Sequence, residues 1–274
     1  MSTEGNWETA ARQAGGAISE DGTLIGYWRT GEGPPLVLVH GTSADHTRWD
    51  PVLPTLEEHF TVYAIDRRGR GESRDAADYS LEREIEDLVT VIDSIGAPVS
   101  LLGHSYGGIY SLEAAQQSEC VRRLVLYEPP LPTNIKIFPP GVIARIEALL
   151  GAGEREEAVV VFLREVVRMP PSELELTRQS PSWRARVATA HTLPREMHAV
   201  EGYTFNPARF RTLRSPTMLL VGGDSPPFLK AATETAGAAL PDSKIVSMPG
   251  QQHVAMHTAP ELFTSLVVQF LMPG

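Results

Sequence analysis

Cysteine is nearly absent, with Cys120 the only one in 274 residues. A single thiol excludes an internal disulfide framework and any zinc site built on several thiolates. It fits a reducing compartment, and the expected location is cytoplasmic. Positive charge is also in short supply, with 24 Lys and Arg against 34 Asp and Glu and a net charge of −10. Nucleic acid selects basic grooves, so no nucleic-acid partner is expected. No apolar run reaches 18 residues, and Met1-Ser2-Thr3-Glu4-Gly5-Asn6-Trp7 lacks the basic-then-apolar order of an export signal. No membrane partner is expected either. What is present is 42% hydrophobic and 21% charged residues, enough apolar surface for a sizeable core in one globular unit or two.

Short apolar runs alternate with longer segments of helical period, the pattern of strand-helix-strand units feeding a mostly parallel sheet. Residues 35–39, 60–65, 99–102, 124–127 and 218–221 are such runs, each followed by Gly, Asp, Glu or Pro or leading into them. Helices are expected over 81–95, 105–117, 227–239 and 259–271, the last with Thr258 as cap and Pro260 in the first turn. Two weaker strands, 14–19 and 22–29, meet at Asp21-Gly22, a hairpin signal. From Leu131 to Thr212 the alternation stops, and amphipathic segments are punctuated by prolines. The expected organisation is therefore a core of residues 1–130 and 213–274 with a helical cap over 131–212.

Gly103-His104-Ser105-Tyr106-Gly107 joins the run ending at Leu102 to a helical segment. This is G-x-S-x-G between strand and helix, where a serine on a strained turn presents its hydroxyl and the glycines leave room for neighbouring backbone. A serine hydroxyl needs a base, and the base an orienting acid. Asp224 follows the run 218–221 through Gly222-Gly223, and His253 lies in the loop after residues 244–247. The order Ser105, Asp224, His253 suits a nucleophile, acid and base. Two rivals stand beside them: His257 for the base, and Glu128, at the end of the run 124–127, for the acid. His253 and His257 lack the glutamate of H-E-x-x-H and any further ligand cluster, so no metal is expected.

An oxyanion needs donors, and His40-Gly41-Thr42 at the end of the first buried run can aim the Thr42 N–H toward Ser105, with the Tyr106 N–H as second donor. Trp49 is expected to pack and to form part of a pocket wall, and Phe138, Phe162 and Trp183 of the cap are candidate substrate contacts. The turn Asp66-Arg67-Arg68-Gly69-Arg70-Gly71-Glu72-Ser73 fits no phosphate-binding pattern. Its arginines are expected to pair with Asp75 and Asp78, and the acids between Glu82 and Asp87 to form a solvated helix face.

These motifs, with Leu126-Tyr127-Glu128-Pro129-Pro130 and Gly250-Gln251-Gln252-His253 leading to Ala259-Pro260-Glu261-Leu262-Phe263, make the chain resemble the α/β-hydrolase fold family, specifically lidded bacterial serine esterases and lactonases. The resemblance implies an α/β fold with an eight-stranded, mostly parallel sheet flanked by helices and an inserted helical cap. It implies cofactor-free cleavage of a small-molecule ester or lactone through an acyl-enzyme. Relatives that hydrolyse epoxides or haloalkanes use aspartate where Ser105 stands, so those activities are disfavoured. Carbon-carbon bond hydrolysis, perhydrolysis and thioester hydrolysis occur on the same triad, and a non-catalytic ligand receptor is the alternative of a different class.

Overall fold

The computed structural model describes residues 12–272, so the N-terminal segment read above lies outside the described residues. The apolar runs become strands β1 (Gln13–Ile18), β2 (Leu24–Thr30), β3 (Pro35–Val39), β4 (Thr61–Ile65), β5 (Val99–His104), β6 (Val121–Tyr127), β7 (Thr217–Gly222) and β8 (Ser243–Met248). They form one sheet in the order β1-β2-β4-β3-β5-β6-β7-β8. β2 pairs antiparallel with β1 and β4, while β3 through β8 run parallel. The β1–β2 turn falls at Asp21-Gly22, where Gly22 takes φ +84° and Asp21 accepts from the Thr23 N–H.

The parallel strands are apolar on both faces because both are covered. Leu36 and Leu38 of β3 join Leu102, Val125 and Leu220 in one core, and Val37 and Val39 join Leu101, Leu124 and Leu219 in the other. The helices of the sheet region are α1 (Leu53–Glu57), α2 (Leu81–Ile95) and α3 (Tyr106–Gln117). Ser80 caps α2 by accepting from the Arg83 N–H, and Gly96 closes it at φ +68°, a conformation that favours glycine.

Between β6 and β7 the described residues contain no strand. The chain forms α4 (Val142–Gly151), α5 (Arg155–Val161), α6 (Pro171–Gln179), α7 (Trp183–Ala188) and α8 (Leu193–Gly202), with Phe162–Val166 continuing α5 as a π-turn. Residues 158–163 are buried and share a core with Leu36 and Leu220 of the sheet. After β7 come α9 (Pro227–Ala239), α10 (Ala255–Thr258) and α11 (Pro260–Leu271). Thr258 does not cap α11, whose N-cap is Ala259. The Thr258 hydroxyl donates to Gln251 instead. No helix among the described residues is long and apolar enough to cross a membrane.

The arginine-rich turn differs from expectation in its partners. Arg67 pairs with Glu84 at 2.6 Å and with Glu196 at 3.2 Å, Arg68 pairs with Asp87 at 2.7 Å and Asp21 at 3.1 Å, and Arg70 bonds Glu196 and the Thr192 hydroxyl. Asp75 pairs with Arg195 of α8 instead, and Asp78 offers Arg68 only its carbonyl oxygen. Glu84 and Asp87 are thus buried rather than on a solvated face. A fully buried guanidinium must be matched by carboxylates, and the turn meets α2 on one side and α8 on the other. Burial alone pushes the Glu196 carboxyl up, but Arg67 and Arg70 and the Thr42 hydroxyl outweigh it and hold the carboxyl below its usual range.

This cluster ties the inserted helices to the sheet. Replacing Glu196 with Ala leaves Arg70 without its acid and is expected to lower stability by about 3–5 kcal/mol, measured by urea unfolding. The Glu196 contribution is present above its unfolded pKa and lost as pH falls through the depressed folded value, so the wild-type advantage over Glu196→Ala should shrink in acid.

Candidate active site

The site is built where the strand order reverses. The chain leaves β3 for β4 on one side and returns to β5 on the other, so the C-terminal ends of β3 and β5 open a crevice. Ser105 sits at the tip of β5 with φ +56° and ψ −128°, a strained geometry for a residue with a β-carbon. Its N–H donates to the Tyr127 carbonyl at 2.8 Å, and the Gly108 N–H closes the turn on the Ser105 carbonyl at 2.8 Å. The turn needs its glycines. A β-carbon at Gly107 would lie 2.5 Å from the carbonyl oxygens of Val39 and His40, and one at Gly41 would meet the Ser105 side chain at 2.8 Å.

His253, in the loop between β8 and α10, lines the same cavity as Ser105. Its Nδ1 donates to Glu128 Oε2 at 2.6 Å, and Glu128 Oε1 accepts from the Gly222 N–H at 2.7 Å. This leaves Nε2 as the basic nitrogen. The carboxylate on His253 is therefore Glu128 and not Asp224. Gly223 and Asp224 turn back on the following loop through N–H bonds to Met248 and Gln251, which leaves the Asp224 side chain exposed. Glu128 is fully buried at the tip of β6, with φ +48° aiming its side chain along the strand ends.

The histidine loop is anchored by two residues whose roles the sequence motifs do not reveal. His104 Nε2 donates to the His253 carbonyl at 2.8 Å, and the Tyr127 hydroxyl donates to the Gln252 carbonyl while accepting from the Ala255 N–H at 3.0 Å. Burial, and then the charge His253 would carry, push the His104 pKa far down, so its ring stays neutral. The variable second position of G-x-S-x-G gives no sign of this task.

The loop after β3 is fixed in the same way. Burial and the Arg67 charge keep His40 neutral, so its Nδ1–H donates to the Gly41 carbonyl at 2.8 Å while Nε2 accepts from the Arg67 N–H at 3.2 Å. Arg186 of α7 donates to the Ser43 carbonyl at 2.6 Å, and the Thr42 hydroxyl reaches Glu196. Thr42 and Tyr106 both line the Ser105 cavity, and Tyr106, as first residue of α3, has no helical acceptor for its N–H.

The space free of protein atoms in and around this cavity is about 440 Å³, open solvent at its mouth included. Phe138 and Phe162 line it together with Val166, Met197, Phe228 and Leu229. Trp49 and Trp183 do not. Trp49 is fully buried beside the His104 ring, and Trp183 donates its Nε1–H to Glu156. Both indoles are used for packing because neighbouring elements cover them. His257 lines a different cavity and bonds the Arg48 backbone. The described residues contain no cluster of three or more His, Cys, Asp or Glu suited to a metal ion.

Comparison with known proteins gives a consistent result. The profile of the alpha/beta hydrolase family matches residues 36–266. The crystal structure of an alpha/beta hydrolase from Sphaerobacter thermophilus is 37% identical, covers 94% of this chain and 100% of its own, and superposes with a TM-score of 0.83. An esterase from a Rhodococcus species is 26% identical over 94% of this chain and 98% of its own, with a TM-score of 0.74. An uncharacterised protein of Mycobacterium tuberculosis is 26% identical over 91% of this chain and 80% of its own length.

The Glu128–His253 bond predicts a clear contrast. Glu128→Gln is expected to lower kcat for a chromogenic ester by about 10³–10⁴-fold, whereas Asp224→Asn leaves kcat unchanged. Steady-state kinetics of the two variants checks this, and the reverse order would return the acid to Asp224.

Proposed function

The chain belongs to the alpha/beta hydrolase family, and from that premise we propose that it is a serine hydrolase of small carboxylic esters or lactones, with Ser105, His253 and Glu128 as its triad. The observation that carries this reading is a strained Ser105 sharing one cavity with a His253 whose Nδ1 is bound by a buried carboxylate. The similarity to the Rhodococcus esterase supports the ester class.

In the proposed reaction His253 Nε2 takes the Ser105 proton as Oγ bonds to the substrate carbonyl carbon. The carbonyl oxygen becomes an oxyanion held by the Thr42 and Tyr106 N–H groups, and the start of α3 favours that negative charge. The intermediate collapses, the C–O bond to the leaving alkoxide breaks, and the alkoxide takes the proton from His253. Water then gives a proton to His253 and its oxygen to the acyl carbon. Return of that proton to Ser105 releases the carboxylic acid, with no oxidant or cofactor involved.

The walls suggest the substrate class. Phe138, Phe162, Val166 and Phe228 offer apolar contact, and the one acid on the lining, Glu196, is already held by two arginines. A neutral ester with a short apolar acyl or alcohol group suits this surface. In this reading the helical segment 131–212 acts as the cap that selects substrate.

Ser105→Ala is expected to abolish the burst of p-nitrophenol from p-nitrophenyl butyrate and to lower kcat by about 10⁴–10⁶-fold. A fluorophosphonate should label wild-type protein at Ser105 and leave the variant unlabelled. Undiminished turnover by Ser105→Ala would end the proposal.

A further inference from the structure

Arg48 and Arg186 are two further buried cations. Arg48 lies in the short helical turn His46–Trp49 after the Thr42 loop and Arg186 in α7, and they are 8% and 4% exposed. Among the described residues neither forms an ion pair with a carboxylate, in contrast to Arg67, Arg68 and Arg70. The Arg48 guanidinium donates no hydrogen bond to any described residue, and its Nε is enclosed. Arg186 uses only Nη1, on the Ser43 carbonyl and hydroxyl, and its Nε is likewise enclosed without an acceptor. A buried cation left in this state is destabilising, and a guanidinium fork matches a carboxylate oxygen pair.

Both arginines line one cavity of about 670 Å³, open solvent at its mouth included, which shares no lining residue with the Ser105 cavity. Its wall carries the hydroxyls of Thr177, Ser180, Ser182 and Thr258 and the apolar side chains of Leu176 and Val254. The remaining titratable neighbours set the charge of an occupant. Burial and then the Arg48 charge bring the His257 pKa down to about 3, so it adds no cation. Glu173 stands on the wall with its carboxyl pushed up by burial, and Asp45 is engaged in capping the Thr47 N–H at 3.0 Å. Burial and then the Arg186 charge pull the Arg48 pKa down to about 9, and burial pulls Arg186 down to about 10, so both remain cationic at neutral pH. Asp45 still acts at a distance on both arginines, so two cations stand against one charged acid, with Glu173 pushed toward its neutral form. There is room for a single negative charge, while the Leu176 and Val254 surfaces offer contact to an alkyl group.

We propose that this cavity binds a small organic monocarboxylate, with its carboxylate held by the Arg48 and Arg186 guanidinium groups and its alkyl tail against Leu176 and Val254. The site is separate from the Ser105 cavity, although its occupant would sit behind the Ser43 backbone and the helix that follows His253, and Glu173 on its wall feels the His253 charge.

Thermal unfolding in bis-tris propane, with chloride held constant and sodium butyrate, sodium phosphate or butanol added, tests the assignment on the full chain. Butyrate at about ten times its Kd is expected to raise Tm by about 3 °C, in wild type and Ser105→Ala alike. Butanol should not, and phosphate should give a smaller rise. Arg48→Met removes an unpaired buried cation, so it should keep or raise the butyrate-free Tm and lose the butyrate response. If Arg48→Met does not fold, Arg48→Lys keeps the charge without the fork and should weaken butyrate binding by at least about tenfold. Equal stabilisation of wild type and the Arg48 variants, or loss of the response in Ser105→Ala, overturns the proposal. So does stabilisation by phosphate without butyrate, or no response in wild type.

Discussion

The Glu128 carboxylate is the constraint on which the candidate site depends. One oxygen is bound by the Gly222 N–H at the tip of β7 and the other by His253 Nδ1. The Glu128 backbone N–H reaches the Leu220 carbonyl, and the Ser105 N–H reaches the Tyr127 carbonyl just before it. Three neighbouring strand ends and the histidine loop are thereby linked through a single residue. Such a buried carboxylate is stable only because both its oxygens are satisfied. The unusual positive φ at both Ser105 and Glu128 belongs to the same arrangement, since each turns the chain at a strand end so that a side chain faces the crevice.

A second network acts from the opposite side. From the turn after β4, Arg67 meets Glu84 of α2, and Arg67 and Arg70 together grip Glu196 of α8. Glu196 in turn accepts from Thr42, and Arg67 also donates to the Gly41 carbonyl at 3.2 Å. The loop proposed to hold an oxyanion is therefore fixed by charges from the sheet region and from the inserted helices together. Preorganised donors of this kind cost no reorganisation when charge develops.

The parts of this architecture legible in the sequence are those written locally. Buried parallel strands are continuous apolar runs, so β3 to β7 stand out, and G-x-S-x-G places Ser105 because a strained turn needs glycines beside it. Asp224 and Glu128 both follow apolar runs, and chain order favours the first. Only the adjacency of β6 to the histidine loop favours the second. The partners of Arg67 show the same limit: Glu84 is 17 residues away and Glu196 is 129, so no local spacing joins them. Aromatic residues in the insert are visible, but whether Phe162 faces the cavity and Trp183 faces Glu156 depends on helix packing.

The placement of Glu196 also bears on chimera construction. A replacement for residues 131–212 taken from another protein would bring new cavity walls, yet without an acid at this position it would leave Arg67 with Glu84 alone and bury Arg70 with no carboxylate. Matching loop ends and apolar volume would not suffice. A graft has to carry one carboxylate on its last long helix, or the two arginines of the recipient must be exchanged with it, so insert and turn form a single unit of recombination.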